Sequence, residues 1–71
     1  MHNDIVSKIT CFENECNLKA SVTEDTEIEF FCNVTSKLLD KFLKVFHDAD
    51  YMELGNKRLY CKYERDSCIN S

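Results

Sequence analysis

Apolar and polar residues alternate near the start of the chain, in residues 7–13, where Ile9 and Cys11 are separated by polar neighbours. Alternation with a period of two is typical of a half-buried strand, so this run is predicted to be the first strand. Ile5, Val6 and Ile9 also fit a helical turn, and the pattern leaves that alternative open.

Two longer alternating runs follow, residues 17–23 and residues 27–33, separated by the polar residues 24–26. Each places its apolar side chains on one side and polar ones largely on the other, as expected of strands with one buried face. Short connections of this kind join antiparallel neighbours, so the three runs predict a three-stranded meander. The apolar positions of the two longer runs are Leu18, Ala20, Val22, Ile28, Phe30 and Cys32.

The pattern changes to a helical period after Thr35 or Ser36, either of which can cap a helix with its hydroxyl. The helix is predicted to end between His47 and Asp50, with one apolar face and one lysine-rich face. Six apolar residues share the first face, namely Leu38, Leu39, Phe42, Leu43, Val45 and Phe46, and Lys37, Lys41 and Lys44 lie opposite.

Residues 51–54 and 57–63 alternate again on either side of Gly55 and Asn56, a pair suited to a two-residue hairpin turn. The alternative is a helix that continues through Leu54 and stops at Gly55, which would leave a single final strand. Both readings predict an α+β fold in one domain, residues 1–71. An antiparallel sheet of four or five strands carries one amphipathic helix on one face.

The chain is acidic, with thirteen Asp and Glu against nine Lys and Arg among 71 residues, and a formal net charge of −4. Seven of the acids and only two of the bases lie in residues 1–34. Phosphate binding requires a basic surface, so direct binding to nucleic acid or to an anionic membrane is not expected. No apolar run is long enough to span a bilayer. The expected partner is a protein with a basic surface.

Five cysteines are present, and three of them (Cys11, Cys32 and Cys61) fall on strand faces predicted to be buried, where a thiol packs as a small apolar group. A zinc-stabilised binding module is an alternative, because two arms of the chain each carry two cysteines. The first pair has four intervening residues. The second pair has six, which is more than the two to four that are typical of structural zinc sites. The ligands would be Cys11, Cys16, Cys61 and Cys68.

A secreted, disulfide-linked ligand is a further alternative, since small exported domains use cross-links to support a thin core. Asn33, Val34 and Thr35 form an N-glycosylation sequon, which fits that alternative. Against it, the cysteine number is odd and the first residues lack the basic and apolar order of a signal peptide. The favoured location is therefore the cytoplasm of a host cell.

No arrangement of residues in the sequence indicates catalysis. The imidazoles are His2 and His47, and neither is accompanied by a glycine-rich or oxyanion-stabilising segment. His47 fits the last turn of a helix, where its partial charge interacts favourably with the backbone dipole. The chain is therefore predicted to be a non-enzyme without a cofactor.

The acidic stretch at residues 24–29 is the main functional candidate, with two further carboxylates expected on a neighbouring turn of the same sheet. It would form either a solvated sheet edge that resists aggregation or an anionic surface for a basic groove of another protein. Phe31, Tyr51 and Tyr60 are expected on the face opposite the helix, as anchors for a partner or a second copy. The predicted carboxylates are Glu13, Glu15, Glu24, Asp25, Glu27 and Glu29.

The leading hypothesis from these features is a small acidic protein that regulates or inhibits another protein by binding it. Small size and acidity are typical of inhibitors encoded by phages and mobile elements. The zinc-stabilised module and the secreted ligand are the competing hypotheses.

Overall fold

The computed structural model describes residues 3–64, in which two helices and four strands form an α+β fold. All strand pairs are antiparallel, and the sheet order is β1-β2-β4-β3. The predicted α+β class and antiparallel sheet of four or five strands are confirmed, with four strands, but the sheet carries two helices where one was predicted. In chain order the elements are α1 (Asn3–Cys16), β1 (Ser21–Val22), β2 (Glu27–Phe31), α2 (Ser36–Val45), β3 (Tyr51–Leu54) and β4 (Arg58–Lys62).

The predicted first strand is wrong, because residues 7–13 belong to α1. Ile5, Ile9 and Phe12 recur at intervals of four and three, and all three are buried on one face of this helix. The alternation around Ile9 is only a few residues long, and burial of that helical face decides between the two periods. Cys11, predicted to be buried, is consequently exposed.

A left-handed residue, Asn17 with φ of 55°, ends α1. The N–H of Leu18 donates to the Glu13 carbonyl at 3.1 Å, which satisfies one of the free carbonyls at the helix end. The Glu13 carboxylate accepts from the N–H of Ala20 at 2.7 Å. These local bonds occupy the start of the predicted strand at residues 17–23, which is reduced to the two residues of β1.

A tight turn joins β1 to β2. The N–H of Thr26 donates to the Thr23 carbonyl at 3.1 Å, and the N–H of Thr23 donates to the Glu27 carbonyl at 3.1 Å. Thr26 has a positive φ of 58°, which is unfavourable for a β-branched residue. Its buried hydroxyl bonds to the Tyr63 carbonyl, and this contact holds the turn against the end of β4.

The predicted helix and hairpin are confirmed by α2, β3 and β4, except that α2 ends at Val45, before the predicted end at residues 47–50. The Thr35 hydroxyl caps α2 by accepting from the N–H of Leu38 at 3.1 Å. The N–H of Gly55 donates to the Arg58 carbonyl at 2.9 Å where the chain turns between β3 and β4. The alternative helix that continues through Leu54 is therefore wrong.

Strand order places β4, the last strand, between β2 and β3. The sheet therefore contains the β1–β2 and β3–β4 hairpins, and the predicted three-stranded meander is absent from residues 3–64 because its first member is a helix. The contact between the hairpins is the β2–β4 pairing, in which Phe30 lies opposite Leu59 and Ile28 lies opposite Cys61.

Both helices pack on a single face of this sheet. Four phenylalanines fill the centre, with ring centroids between 4.8 and 6.2 Å apart and mostly tilted or edge-to-face geometry. Aromatic pairs in this geometry stabilise a core beyond the area they bury. The four rings are Phe12 from α1, Phe30 from β2, Phe42 from α2 and Phe46 at its end.

Candidate functional site

The sheet has an inner face, covered by α1 and α2, and an outer face on which no helix packs within residues 3–64. Successive residues of a strand point to opposite faces, so the registers assign each side chain to one of the two. We use "outer face" for Glu27, Glu29, Phe31, Tyr51, Glu53, Arg58, Tyr60 and Lys62.

Aromatic side chains form the apolar part of the outer face. Phe31 is 68% exposed and Tyr51 is 48% exposed. The rings of Tyr51 and Tyr60 meet edge to face, with centroids 6.0 Å apart and an angle of 72°. The structure thus places all three aromatics opposite the helices, as the alternation predicts.

Arg58 lies between two carboxylates of neighbouring strands. It bonds to Glu29 through Nε and to Glu53 through Nη1, the latter at 2.9 Å, and its guanidinium stacks over the Tyr60 ring at 4.8 Å. These bonds raise the pKa of Arg58 above its usual value. The pKa of Glu53 is lowered, first by the bond from the Tyr51 hydroxyl and then by Arg58. Glu53 therefore remains charged at neutral pH.

Lys62 extends the row of ion pairs, with its Nζ 3.7 Å from a carboxylate oxygen of Glu27. Burial, followed by the charge of Glu27, raises the pKa of Tyr60. The pKa of Tyr51 is also raised, chiefly because its hydroxyl donates to Glu53. Both tyrosines therefore carry neutral hydroxyls, and the single proton of the Tyr51 hydroxyl is already donated to Glu53.

Glu24 and Asp25 form the tip of the β1–β2 turn, and both are exposed. We call these two residues the acidic turn. No ion pair involves either carboxylate within the described part of the chain. Because the Thr23 hydroxyl accepts from the N–H groups of Asp25 and Glu27, the turn is held in place next to the Glu27 end of the outer face.

The prediction that Glu13 and Glu15 share this sheet edge is wrong, because both belong to α1. Glu13 is half-buried and bonds the Ala20 backbone. The Glu15 carboxylate accepts from Lys41 of α2 at 3.0 Å, a bond that lowers its pKa. These two carboxylates join α1 to its neighbours.

Charge on this side of the molecule is therefore uneven rather than uniformly acidic. The outer face and the acidic turn together carry five carboxylates and two basic side chains, and both basic groups are already paired. The excess charge is negative and is concentrated at the acidic turn, whereas the aromatic side chains lie along the strands. The surface is thus an aromatic patch with an acidic end.

The four cysteines within residues 3–64 are free thiols. Burial raises the pKa of Cys61 to about 12, so this thiol is uncharged in the core. Cys16 and Cys32 instead line an open groove of about 400 Å³ between the end of α1 and the start of α2. Of the residues predicted to be buried thiols, Cys61 is buried, Cys32 is half-buried and Cys11 is exposed.

No three or more potential metal ligands gather in a suitable arrangement among the described residues. The four-cysteine zinc alternative also includes Cys68, which lies outside them. His47 is exposed just beyond the end of α2, close to its predicted place. Neither helix within residues 3–64 is long and apolar enough to cross a bilayer.

Three residues of the outer face were missing from the predicted site: Glu53, Arg58 and Lys62. The sequence does indicate that they lie on this face, because polar residues alternate with Met52, Leu59 and Cys61 along β3 and β4. Their pairing with the β2 glutamates depends on β4 lying next to β2, and local pattern does not reveal that neighbour.

Comparison with known proteins finds no matching family model, no similar curated protein and no similar solved structure.

Proposed function

We propose that this protein is a small non-enzymatic regulator that binds a partner protein through the outer face and the acidic turn. The carrying observation is an uncovered sheet face with exposed aromatics, next to the acidic turn, whose two carboxylates make no ion pair within residues 3–64. Aromatic residues are enriched at the energetically important centres of protein interfaces, because they bury a large area at low entropic cost.

The charge of the surface selects a basic partner. The two cations of the outer face are paired with glutamates, which leaves the acidic turn to attract an oppositely charged protein from a distance. A basic groove that binds nucleic acid in another protein has the required charge. This fits an inhibitor of the kind encoded by phages and mobile elements, acting in the cytoplasm of a host cell.

A quantitative pull-down from host lysate, read by mass spectrometry, tests this proposal. One variant removes apolar contact area from the outer face (Phe31→Ser with Tyr51→Ser), and another removes charge from the acidic turn (Glu24→Gln with Asp25→Asn). The matched control removes exposed apolar side chains from the helical side, Val6→Ser with Leu43→Ser. Circular dichroism checks the fold of each variant.

The same basic partner should be lost from both test variants. The aromatic variant should bind about tenfold or more weakly, because hot-spot aromatics contribute about 2 kcal/mol or more each, and the acidic-turn variant should lose its attraction to a basic surface. The control should retain the partner. Retention by both test variants, or equal loss from the control, would contradict the proposal.

A further inference from the structure

Strand β3 forms one edge of the sheet, since it pairs with β4 on one side and with no other strand in residues 3–64. An edge strand presents a row of unpaired backbone donors and acceptors, which is a template for another strand. The exposed fractions of Tyr51 (48%) and Leu54 (44%) show that both ends of β3 are accessible.

The hydrogen bonds between β3 and β4 identify which backbone N–H and C=O groups of β3 are left unpaired. The N–H of Gly55 bonds to the Arg58 carbonyl, so these two residues form a hydrogen-bonded pair. Such pairs alternate along an antiparallel ladder, which makes Glu53 with Tyr60 the next one. Met52 and Leu54 lie at the intervening positions, and their N–H and C=O groups therefore point away from β4 toward the open edge.

The opposite edge of the sheet, formed by β1, is less open to pairing with another strand. Strand β1 has two residues, and the outward N–H of the adjacent Ala20 is already bonded to the Glu13 carboxylate. Short edge strands and charged side chains that block the backbone are common protections against strand pairing. Residues Tyr51–Leu54 contain no proline or lysine and form the longer of the two edges.

Self-pairing of β3 is disfavoured by charge. In one antiparallel register, all the outward backbone groups of Met52 and Leu54 form hydrogen bonds with a second copy. This register pairs Met52 with Leu54 of that copy and sets Glu53 directly opposite Glu53 of that copy. Like charges at directly opposite positions destabilise a strand pair. Arg58 is shared between Glu53 and Glu29, so these three groups keep a net negative charge. A segment carrying Lys or Arg opposite Glu53 therefore replaces the repulsion with attraction.

We propose that β3 binds an extended segment of the basic partner as a fifth, antiparallel strand, with a Lys or Arg side chain opposite Glu53. This inference rests on the proposed function for the charge of the partner. Backbone bonds to Met52 and Leu54 supply the affinity, and the side chain opposite Glu53 supplies the preference for a basic sequence.

The probe is a capped synthetic hexapeptide of three Val-Lys repeats, added to the full chain and followed by NMR and amide hydrogen exchange. Saturating peptide should slow exchange at Met52 and Leu54 by about tenfold or more, because both amides become hydrogen-bonded. A peptide of three Val-Glu repeats should bind at least about tenfold more weakly, since it places a carboxylate opposite Glu53.

Met52→Pro is the sharpest variant because it removes an outward N–H that β4 does not use. It should weaken binding of the Val-Lys peptide by about tenfold, whereas Met52→Ala, which keeps the N–H, should not. Peptides N-methylated on alternate residues provide a test that leaves the protein unchanged. Methylation on the edge that faces β3 should abolish binding, and methylation on the other edge should not.

Unchanged affinity for both methylated peptides, or exchange protection outside β3, would overturn the proposal. So would peptide-free dimerisation that protects Met52 and Leu54, because the occupant would then be a second copy. The two proposals fail separately. If Met52→Pro keeps the host partner while the acidic-turn variant loses it, the strand addition is wrong and the proposed function stands.

Discussion

The two faces of the sheet differ sharply in burial, although adjacent residues of the same strands form them. On the inner face, Ile28, Phe30, Leu59 and Cys61 are all fully buried. On the outer face, Phe31 is 68% exposed. Burial of apolar area is the dominant stabilising term in folding, so the inner face provides most of the stability.

The outer face makes a different contribution. Its ion pairs are partly exposed, and such pairs add little to stability because water and salt screen them and side-chain entropy opposes them. Replacement of the aromatics and carboxylates of this face should therefore leave the core intact. The comparison predicts large losses of stability from inner substitutions and small losses from outer ones.

The largest expected effect comes from adjacent phenylalanines. Phe30→Ala should lower the free energy of unfolding by about 3–5 kcal/mol, because it leaves a cavity among three other aromatic rings. Phe31→Ala, the matched control on the outer face, should change it by about 0.5 kcal/mol or less. Urea denaturation followed by circular dichroism measures both. Similar losses for the two variants would contradict the division between the faces.

A smaller effect is expected at the margin of the core, where the buried Tyr63 donates to Asp48 at 2.7 Å and Lys8 bonds both carboxylate oxygens at 2.9 Å. Burial acts to raise the pKa of Asp48, but the bonds from Lys8 and Tyr63 outweigh it and lower the pKa below 3.8. A carboxyl with a lowered folded pKa stabilises the protein above its unfolded pKa. That stabilisation is lost as the pH falls through the folded pKa.

Tyr63→Phe and Asp48→Asn should each cost about 1–2 kcal/mol at pH 7, toward the low end for a hydrogen bond to a charged group, because the Asp48 side chain is half exposed and solvent screens its charge. The difference in unfolding free energy between the native chain and Asp48→Asn should shrink on acidification below pH 3.8. Denaturation curves at neutral and acidic pH measure this. A difference independent of pH would show that ionised Asp48 contributes nothing to the fold.

The smallest effect is expected on the outer face at Arg58. Arg58→Met keeps much of the apolar stem but removes both ion pairs, and should lower the free energy of unfolding much less than the substitutions in the core, because solvent screens these pairs. Most of that loss should disappear at about 1 M salt, where exposed charges are screened. Lys44→Met breaks a largely exposed pair with Asp40 and serves as the control. A loss at Arg58 comparable to that of Phe30→Ala would show that the outer face also holds the fold together.

Local pattern was sufficient to predict β2, α2 and the β3–β4 hairpin, because each has a clear period and a recognisable boundary. Thr35 was correctly expected as a possible cap, and Phe31, Tyr51 and Tyr60 were correctly assigned to the face opposite the helix. Side-chain alternation is a property of the strand itself, so it requires no knowledge of the neighbouring strand.

The sequence did not determine α1 uniquely. Ile9 and Cys11 fit a strand, whereas Ile5, Ile9 and Phe12 fit a helix, and the choice depends on which set is buried against the rest of the molecule. The misplaced Glu13 and Glu15 follow from that one error, because they belong to the same helix.

What the sequence determined was the character of the segments from β2 onward: their periods, the cap of α2, and which side chains share a face. The tertiary structure alone decided the strand order, the ion pairs that Arg58 and Lys62 make across β4, and the open edge of β3. These features join residues that are distant along the chain. They depend on the packing of whole elements, whereas periodicity reports only on the residues nearest in sequence.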